Sequence, residues 1–469
     1  MEDMMDNEKL YYNPKPTKQR SKFESVFIKY TQEQILLFGF VILIIIGAII
    51  LSLPISSATG TNQPFIDALF TSASAVSTTG LSVVDIGTFY NLFGQIIILL
   101  LIQVGGLGYM VFVVLLIYII RRNISLQGSF FMKEILSGDS GITAENVLKV
   151  VKIVIVTTLI IELFGAVLYT VFFYQDFSLS KAIYYGIFHS ISAFCTAGFS
   201  LFSDSMSQYQ FNYGINITTY LITMAGGLGF VVLYDVFSKL KNKNLKFCRL
   251  MPYSKLVLVT SAIIIGISSI IIFYSETLLT HYSDSNRFLT TLFQSISASS
   301  TTGFNSFDIT SYSITSLFVI IVLMFIGTGS ASTGGGVKCS TFSIAVLSII
   351  AILKGNKDTN AFGHKVPQHT VKIAFVIIFL GISLILVDLI ILANTETHSL
   401  FDLIFEITSA FGTVGLSTGI TSTLSYAGKA IIIFTMLIGR LGPLTIGMSI
   451  AGKQPKSTFS YGVEQFHVG

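Results

Sequence analysis

The sequence predicts an all-α integral membrane protein built from four tandem repeats of one helix–short helix–helix unit around a pseudo-four-fold axis. Three observations carry that expectation. Of 469 residues 52% are hydrophobic and only 11% charged, with a mean hydropathy of +0.76, whereas soluble domains carry about 25% charged residues. Apolar runs long enough for a bilayer, at about 20 residues per crossing, recur at 35–53, 92–120, 150–173, 215–236, 256–274, 315–353 (interrupted), 371–393 and 430–450, which makes eight crossings. Between them one short pattern returns four times.

The segments joining the runs sort by charge. Residues 1–34 hold six basic and six acidic residues, unlike the short basic start of a cleaved signal. They read as a cytoplasmic tail with an amphipathic stretch near 23–30. Arg121, Arg122, Lys133, Lys149 and Lys152 crowd one joining segment, and Lys239, Lys241, Lys243, Lys246, Arg249 and Lys255 another. The alternate segments contribute only Lys181, Arg287 and Lys429, with no basic residue between Pro54 and Gln95. By the positive-inside rule both termini and the basic segments are cytoplasmic. The net charge of +4 is therefore a topology signal, and with no soluble basic domain it does not point to nucleic acid. Three scattered cysteines (Cys195, Cys248, Cys339) give neither a disulfide framework nor metal-ligand spacing.

Each of the four outer segments contains a weakly apolar stretch of about a dozen residues, near 65–76, 182–194, 288–299 and 401–411, too short to span. Aligned on one glycine each, they read FTSASAVSTTGLS to Ser82, FHSISAFCTAGFS to Ser200, FQSISASSTTGFN to Asn305 and FEITSAFGTVGLS to Ser417. Relative to Gly80, Gly198, Gly303 and Gly415, Phe recurs at −10, Ser at −6, Ala at −5 and Thr at −2. The glycines lie 118, 105 and 112 residues apart, so a unit of about 110 residues repeats four times. Each unit is an M1–pore helix–M2 arrangement: repeat 1 over 35–122, repeat 2 over 147–238, repeat 3 over 255–354 and repeat 4 over 370–452, with tails at 1–34 and 453–469. Small residues can merely let helices pack closely, but four copies in one register ask for more. Non-helical backbone inside a bilayer must line a cavity. Four Thr-x-Gly loops around one axis can replace a cation's hydration shell with backbone carbonyls, with glycine supplying the unusual backbone angles and each short helix aiming its negative end at the cavity. The candidate selectivity filter is Thr78, Thr79, Gly80, Thr196, Ala197, Gly198, Thr301, Thr302, Gly303, Thr413, Val414 and Gly415.

A second irregularity interrupts the third M2 segment. After 317–326 comes GTGSASTGGGVKCS (327–340). Each glycine costs a helix about 1 kcal/mol against alanine, so this stretch is a mid-membrane loop. It lacks the Gly-Lys-Ser/Thr of a phosphate-binding loop. Its functional reading is a gate made of Gly327, Thr328, Gly329, Ser330, Ser332, Thr333, Gly334, Gly335, Gly336 and Lys338, and its plain alternative is a passive kink. Arg440, in LIGRLGPL, falls near mid-depth of the fourth M2 segment, where an arginine costs about 2.5–3.5 kcal/mol on insertion scales and must face water or carbonyls. The loop carbonyls of 327–336 are its expected partners, and it completes the candidate gate.

These residues carry a family resemblance. The four single-glycine repeats, the TVGL of Thr413–Leu416 that looks like a potassium-channel TVGY, and the glycine-rich break in repeat 3 resemble the Trk/Ktr/HKT superfamily of potassium transporters, and in size and short tails the Ktr-type membrane subunit. The resemblance covers about residues 35–469. It implies potassium uptake across the plasma membrane, K⁺ held by the filter carbonyls, an intramembrane gate with Arg440 holding it closed, no organic cofactor, and a homodimer seated on a cytosolic nucleotide-binding regulatory ring of RCK/KTN type. In plant members a serine at the first filter glycine goes with sodium preference, so Gly80 implies potassium. Unequal residues at −1 (Thr79, Ala197, Thr302, Val414) predict weaker exclusion of Na⁺ than in a symmetric channel.

Other intramembrane polar groups are less pointed. Glu162 and Asp388 sit in first helices away from the axis; the alternative reading, a Na⁺- or H⁺-coupled secondary cation transporter, would use them. His189 and Glu406 share the −9 register with Thr71 and Gln294, and read as hydrogen-bonding groups behind the filter. The clusters Gly105-Gly106-Leu107-Gly108 and Gly226-Gly227-Leu228-Gly229 read as places where M2 helices bend or pack. Six scattered histidines make no enzyme site.

Overall fold

The computed structural model describes residues 32–108, 147–241 and 246–451. The tails, the basic stretch 121–146 and the second half of the first M2 segment lie outside the described residues. Repeat 1 comprises α1 (Gln32–Ser52), α2 (Phe65–Val76) and α3 (Leu92–Leu107). Repeat 2 comprises α4 (Val147–Phe173), α5 (Leu179–Phe194), α6 (Tyr213–Leu228) and α7 (Phe230–Lys241). Repeat 3 comprises α8 (Pro252–Ser275), α9 (Asp284–Ser299), α10 (Ile314–Phe325) and α11 (Cys339–Leu353). After a two-residue hairpin, β1 (Asn360–Ala361) with β2 (His364–Lys365), repeat 4 comprises α12 (Gln368–Thr395), α13 (Leu400–Gly412), α14 (Tyr426–Leu441) and α15 (Pro443–Ala451).

The first helix of each repeat is continuous and predominantly apolar, with at most a third of its apolar core covered by protein. Ile42, Ile46 and Ile49 on α1 and Phe379 and Ile390 on α12 face outward, as a lipid-facing surface requires. The short helices are the reverse: in α13 every residue from Phe405 to Gly412 is buried. Each short helix packs on the first helix of its own repeat and on the second helix of the repeat before it: α3 on α5, α6 on α9, α10 on α13, and α14 on α2. That last contact closes the ring.

The second helices are not straight crossings, and in repeats 1 and 2 they break at the glycine clusters read from the sequence as places where these helices bend or pack. All four start on a side-chain cap, Asn91, Asn212, Ser313 or Ser425, accepting from the backbone N–H three residues on at 3.1–3.3 Å, worth about 1 kcal/mol each. Three of them then stop at a glycine of positive φ, Gly108 (83°), Gly229 (92°) or Gly442 (87°). Sixteen residues cover roughly 24 Å, short of a 30 Å hydrocarbon core. Beyond the break the chain turns sharply, by 108° between α6 and α7 and by 98° between α14 and α15. The spans expected at 215–236 and 430–450 are therefore bent, at a glycine whose positive φ ends the helix. In repeat 3 the break is the expected loop, although the helix resumes at Cys339, so Cys339 and Ser340 belong to α11.

One ion pair fastens the seam between the first and last repeats. Lys429 in the first turn of α14 lies 2.7 Å from Asp67 in the first turn of α2, both side chains mostly buried. The corresponding contact between repeats 1 and 2 is neutral, Tyr184 donating to Gln95 at 2.7 Å. Removing one partner of a buried pair costs roughly 3–5 kcal/mol. Lys429→Met should therefore lower the thermal unfolding midpoint of the purified protein, and Asp67→Lys combined with Lys429→Asp should restore most of it. A double variant no better than the single one would show that the pair adds nothing to ring closure.

Candidate functional site

The four Thr-x-Gly loops share one backbone conformation. Thr78, Thr196, Thr301 and Thr413 hold left-handed φ of 49–54°, and Gly80, Gly198, Gly303 and Gly415 follow at 66–93°. A non-glycine residue at positive φ costs roughly 1–2 kcal/mol, so the threonines are held there by their surroundings. The −2 N–H donates to the −5 alanine carbonyl at 3.1–3.2 Å, and the −1 N–H to the −6 serine carbonyl at 2.8–2.9 Å, in every repeat. The serine hydroxyl adds a third tie. Ser74 and Ser409 accept from the glycine N–H at 3.0 and 3.1 Å, while Ser192 and Ser297 donate to the carbonyl after the glycine. The shared Ser and Ala thus anchor the loop, spending its −2 and −1 donors backward.

Those carbonyls meet around an axis. A Cβ built on Gly80 would strike the Ala197 carbonyl oxygen, one on Gly198 that of Thr302, one on Gly303 that of Val414, and one on Gly415 that of Thr79. The relation runs through all four repeats and returns to the first, so the −1 carbonyls form a closed ring that only glycine lets assemble. The ring is not four-fold at its side chains: Ser77 bonds Thr79 at 2.6 Å and Ser300 bonds Thr302 at 2.7 Å, whereas Ala197 and Val414 have no hydroxyl to offer.

Directly beneath lies the loop of repeat 3. Thr78 Oγ1 donates to the Thr333 carbonyl at 3.1 Å and Thr196 Oγ1 lies 3.3 Å from Thr333 Oγ1. Gly334 faces Thr301 Oγ1 and Gly335 faces Thr413 Oγ1 so closely that a Cβ on either would collide. All four −2 threonines therefore touch residues 333–335, and the Thr301 and Thr413 hydroxyls are buried without a partner. Buried unpaired oxygens are costly, and two on one oxygen-lined axis suit a cation's coordination shell.

The loop is held by helix ends. Gly329 and Thr333 donate their N–H groups to the Gly227 and Gly226 carbonyls at the end of α6, and Gly336 donates to Gly439 in α14. Its tip, Ala331 at φ 57°, accepts from the Phe230 N–H at 3.0 Å, and Ser330 O accepts from Tyr253 at 3.1 Å. Lys338 Nζ turns inward to the Gly334 carbonyl. Arg440 donates to Thr333 O, the expected loop contact, and also to Gly105 O and Gly106 O, which were not foreseen. Those two carbonyls end α3, where, among the described residues, Gly105 O otherwise accepts only from the capping Gly108 N–H at 3.3 Å and both carry the negative end of the dipole. The guanidinium thus has partners without any carboxylate.

Sequence reasoning overlooked that Gly439-Arg440-Leu441-Gly442 continues the register of 105–108 and 226–229. In that register the first glycine of each set packs on its own repeat's −4 carbonyl, Gly105 on Val76, Gly226 on Phe194 and Gly439 on Phe411, and Arg440 stands where the others have a second glycine. The remaining candidates lie behind the loops. Gln103 donates to both Glu162 oxygens at 3.0 and 3.2 Å, and Thr435 to Asp388 at 2.7 Å. His189 bonds Ser200 at 3.1 Å and Glu406 accepts from Ser417 at 2.8 Å, whereas Gln294 has no partner on either amide atom. Among the described residues no group of His, Cys, Asp and Glu could hold a metal ion.

Comparison with known proteins agrees with this architecture. Residues 32–460 match the model of TrkH, described as cation transport protein. The chain is 37% identical over 441 residues to the Ktr system potassium uptake protein B of Bacillus subtilis, covering 93% of this chain and 96% of that protein. It is 35% identical to the potassium/sodium uptake protein NtpJ of Enterococcus hirae, covering 91% and 94%. The solved structure of the potassium transporter TrkH from Vibrio parahaemolyticus superposes with a TM-score of 0.72 at 20% identity, over 92% of this chain and 86% of that one. The chain belongs to the TrkH family of cation transport proteins, multi-pass membrane transporters rather than enzymes.

Proposed function

We propose that this protein carries K⁺ inward through the ring of Thr-x-Gly carbonyls, with the loop 327–338 as its gate and Arg440 as the latch. The observation that carries the reading is the contact of residues 333–335 with all four −2 threonines, since an ion leaving the ring must pass the place the loop occupies. Relatives named for potassium uptake support the choice of ion. A membrane potential supplies about 2.3 kcal/mol per charge per 100 mV, so inward flow needs no ATP. The polarity rests on the basic segments facing the cytoplasm. A homodimer on a cytosolic nucleotide-binding ring is part of the same proposal. Asp388 is engaged by Thr435, and Glu162 by Gln103 and by Cys195 Sγ at 3.8 Å, one residue before Thr196; neither carboxylate bonds a Thr-x-Gly residue itself, which favours uncoupled flux over an ion-coupled mechanism. With hydroxyls behind only two of the four −1 positions, the reading includes Na⁺ discrimination weaker than that of a symmetric potassium channel.

Three outcomes test this. Purified protein in vesicles loaded with K⁺ should take up tracer Rb⁺, with external K⁺ blocking far better than Na⁺; equal block by the two ions would remove potassium selectivity. Gly80→Ser puts a side chain at φ 93° against the Ala197 carbonyl, so K⁺ over Na⁺ preference should fall about tenfold, the equivalent of the roughly 1–2 kcal/mol backbone cost. Arg440→Ala removes three charge-assisted hydrogen bonds from the latch, each worth about 1.5–3 kcal/mol. Basal flux should then rise at least about tenfold, and unchanged flux from a folded variant would leave Arg440 a structural anchor only.

A further inference from the structure

The helix α7 has no part in the ring, yet it touches the gate loop and carries a surface with an unusual composition. It leaves α6 at 108°, so with α6 across the bilayer it lies close to the membrane plane. Its inner face is Val232 and Asp235, both buried, while Tyr234, Phe237 and Leu240 are 47–54% exposed on the other side. Phe247 and Met251, further along the sequence, are also exposed. Lys241, Lys246 and Arg249 are exposed near that surface, and the half-buried Lys239, seven residues after Val232, ends the inner face. The only acid between residues 230 and 255 is Asp235, turned inward to accept from the Met251 N–H at 2.8 Å. An in-plane helix with an apolar outer face and only basic groups at its margin suits a surface of anionic lipid headgroups.

The same helix starts at Phe230, whose N–H donates to Ala331 at the gate tip, while Tyr253, in the first turn of α8, donates to Ser330. We propose that α7 binds anionic phospholipid on the cytoplasmic face and that its movement toward the headgroups draws Ala331 away from the threonine ring. This inference rests on the transport reading for what the loop does, and on the topology proposed for the side it faces.

The test compares full-length protein in nanodiscs of phosphatidylcholine with the same lipid containing phosphatidylglycerol, reading hydrogen exchange of the 327–338 amides, with Rb⁺ uptake in matching vesicles. Each basic group near an anionic surface is worth roughly fivefold in partitioning. Phosphatidylglycerol should therefore speed exchange and uptake several-fold in the wild type, and a Lys239→Gln, Lys241→Gln, Lys246→Gln variant should lose both responses while keeping the wild-type values in phosphatidylcholine. Loop exchange indifferent to phosphatidylglycerol, or responding equally in the variant, would overturn the proposal and leave the basic row to another partner. Exchange that responds in a protein without K⁺-inhibitable uptake would instead sink the transport reading and leave the lipid coupling standing.

Discussion

Everything in this structure depends on how backbone polar groups are paired where no water is at hand. Inside a bilayer an unpaired N–H or C=O costs several kcal/mol, yet a cation pathway needs carbonyls left unpaired on purpose. On the proposed reading, the four Thr-x-Gly loops meet both demands by asymmetry. The −2 and −1 N–H groups are tied back to the short helix, so the acceptors alone are left facing the axis. The positive φ at each threonine and glycine follows from that division, because alternating left-handed residues let successive carbonyls turn the same way.

The same accounting explains the layer beneath. Broken second helices expose terminal carbonyls toward the centre of the protein, and something has to donate to them. The loop of repeat 3 does so at Gly226, Gly227 and Gly439, and the Arg440 guanidinium does so at Gly105 and Gly106. An arginine so placed is neutralised by helix ends instead of by an acid. The contacts seating the loop are mostly single hydrogen bonds, each worth about 1 kcal/mol net. A seat of that kind can hold the loop and still release it when Arg440 or the tip at Ala331 is disturbed.

Much of this was legible in the amino-acid order because one unit is written four times in the same register. The fixed register of Phe, Ser, Ala, Thr and Gly gave the loops and short helices, and a glycine-rich stretch in the third second-helix could only be a break. Other features left weaker marks. The breaks at Gly108, Gly229 and Gly442 belong to one register, but Arg440 in place of a second glycine disguises the fourth copy. The helix caps Asn91, Asn212 and Ser425 stand 17 residues before those glycines, but their distance from the central glycine varies between 10 and 14, so an alignment on the Thr-x-Gly loops hides them. The seam pair joins Asp67 to Lys429 across nearly the whole chain, and only the closed ring makes them neighbours. Arg440 was visible as a charge needing carbonyls; that two of them end α3 required the coordinates.

The most direct measurement is an anomalous difference map from crystals of the protein grown in Rb⁺. The account predicts density on the axis at the ring of Thr79, Ala197, Thr302 and Val414 carbonyls, level with Gly80, Gly198, Gly303 and Gly415, and its loss in Gly80→Ser. An empty ring, or density only beside Glu162 or Asp388, would contradict it and move the ion pathway elsewhere in the fold.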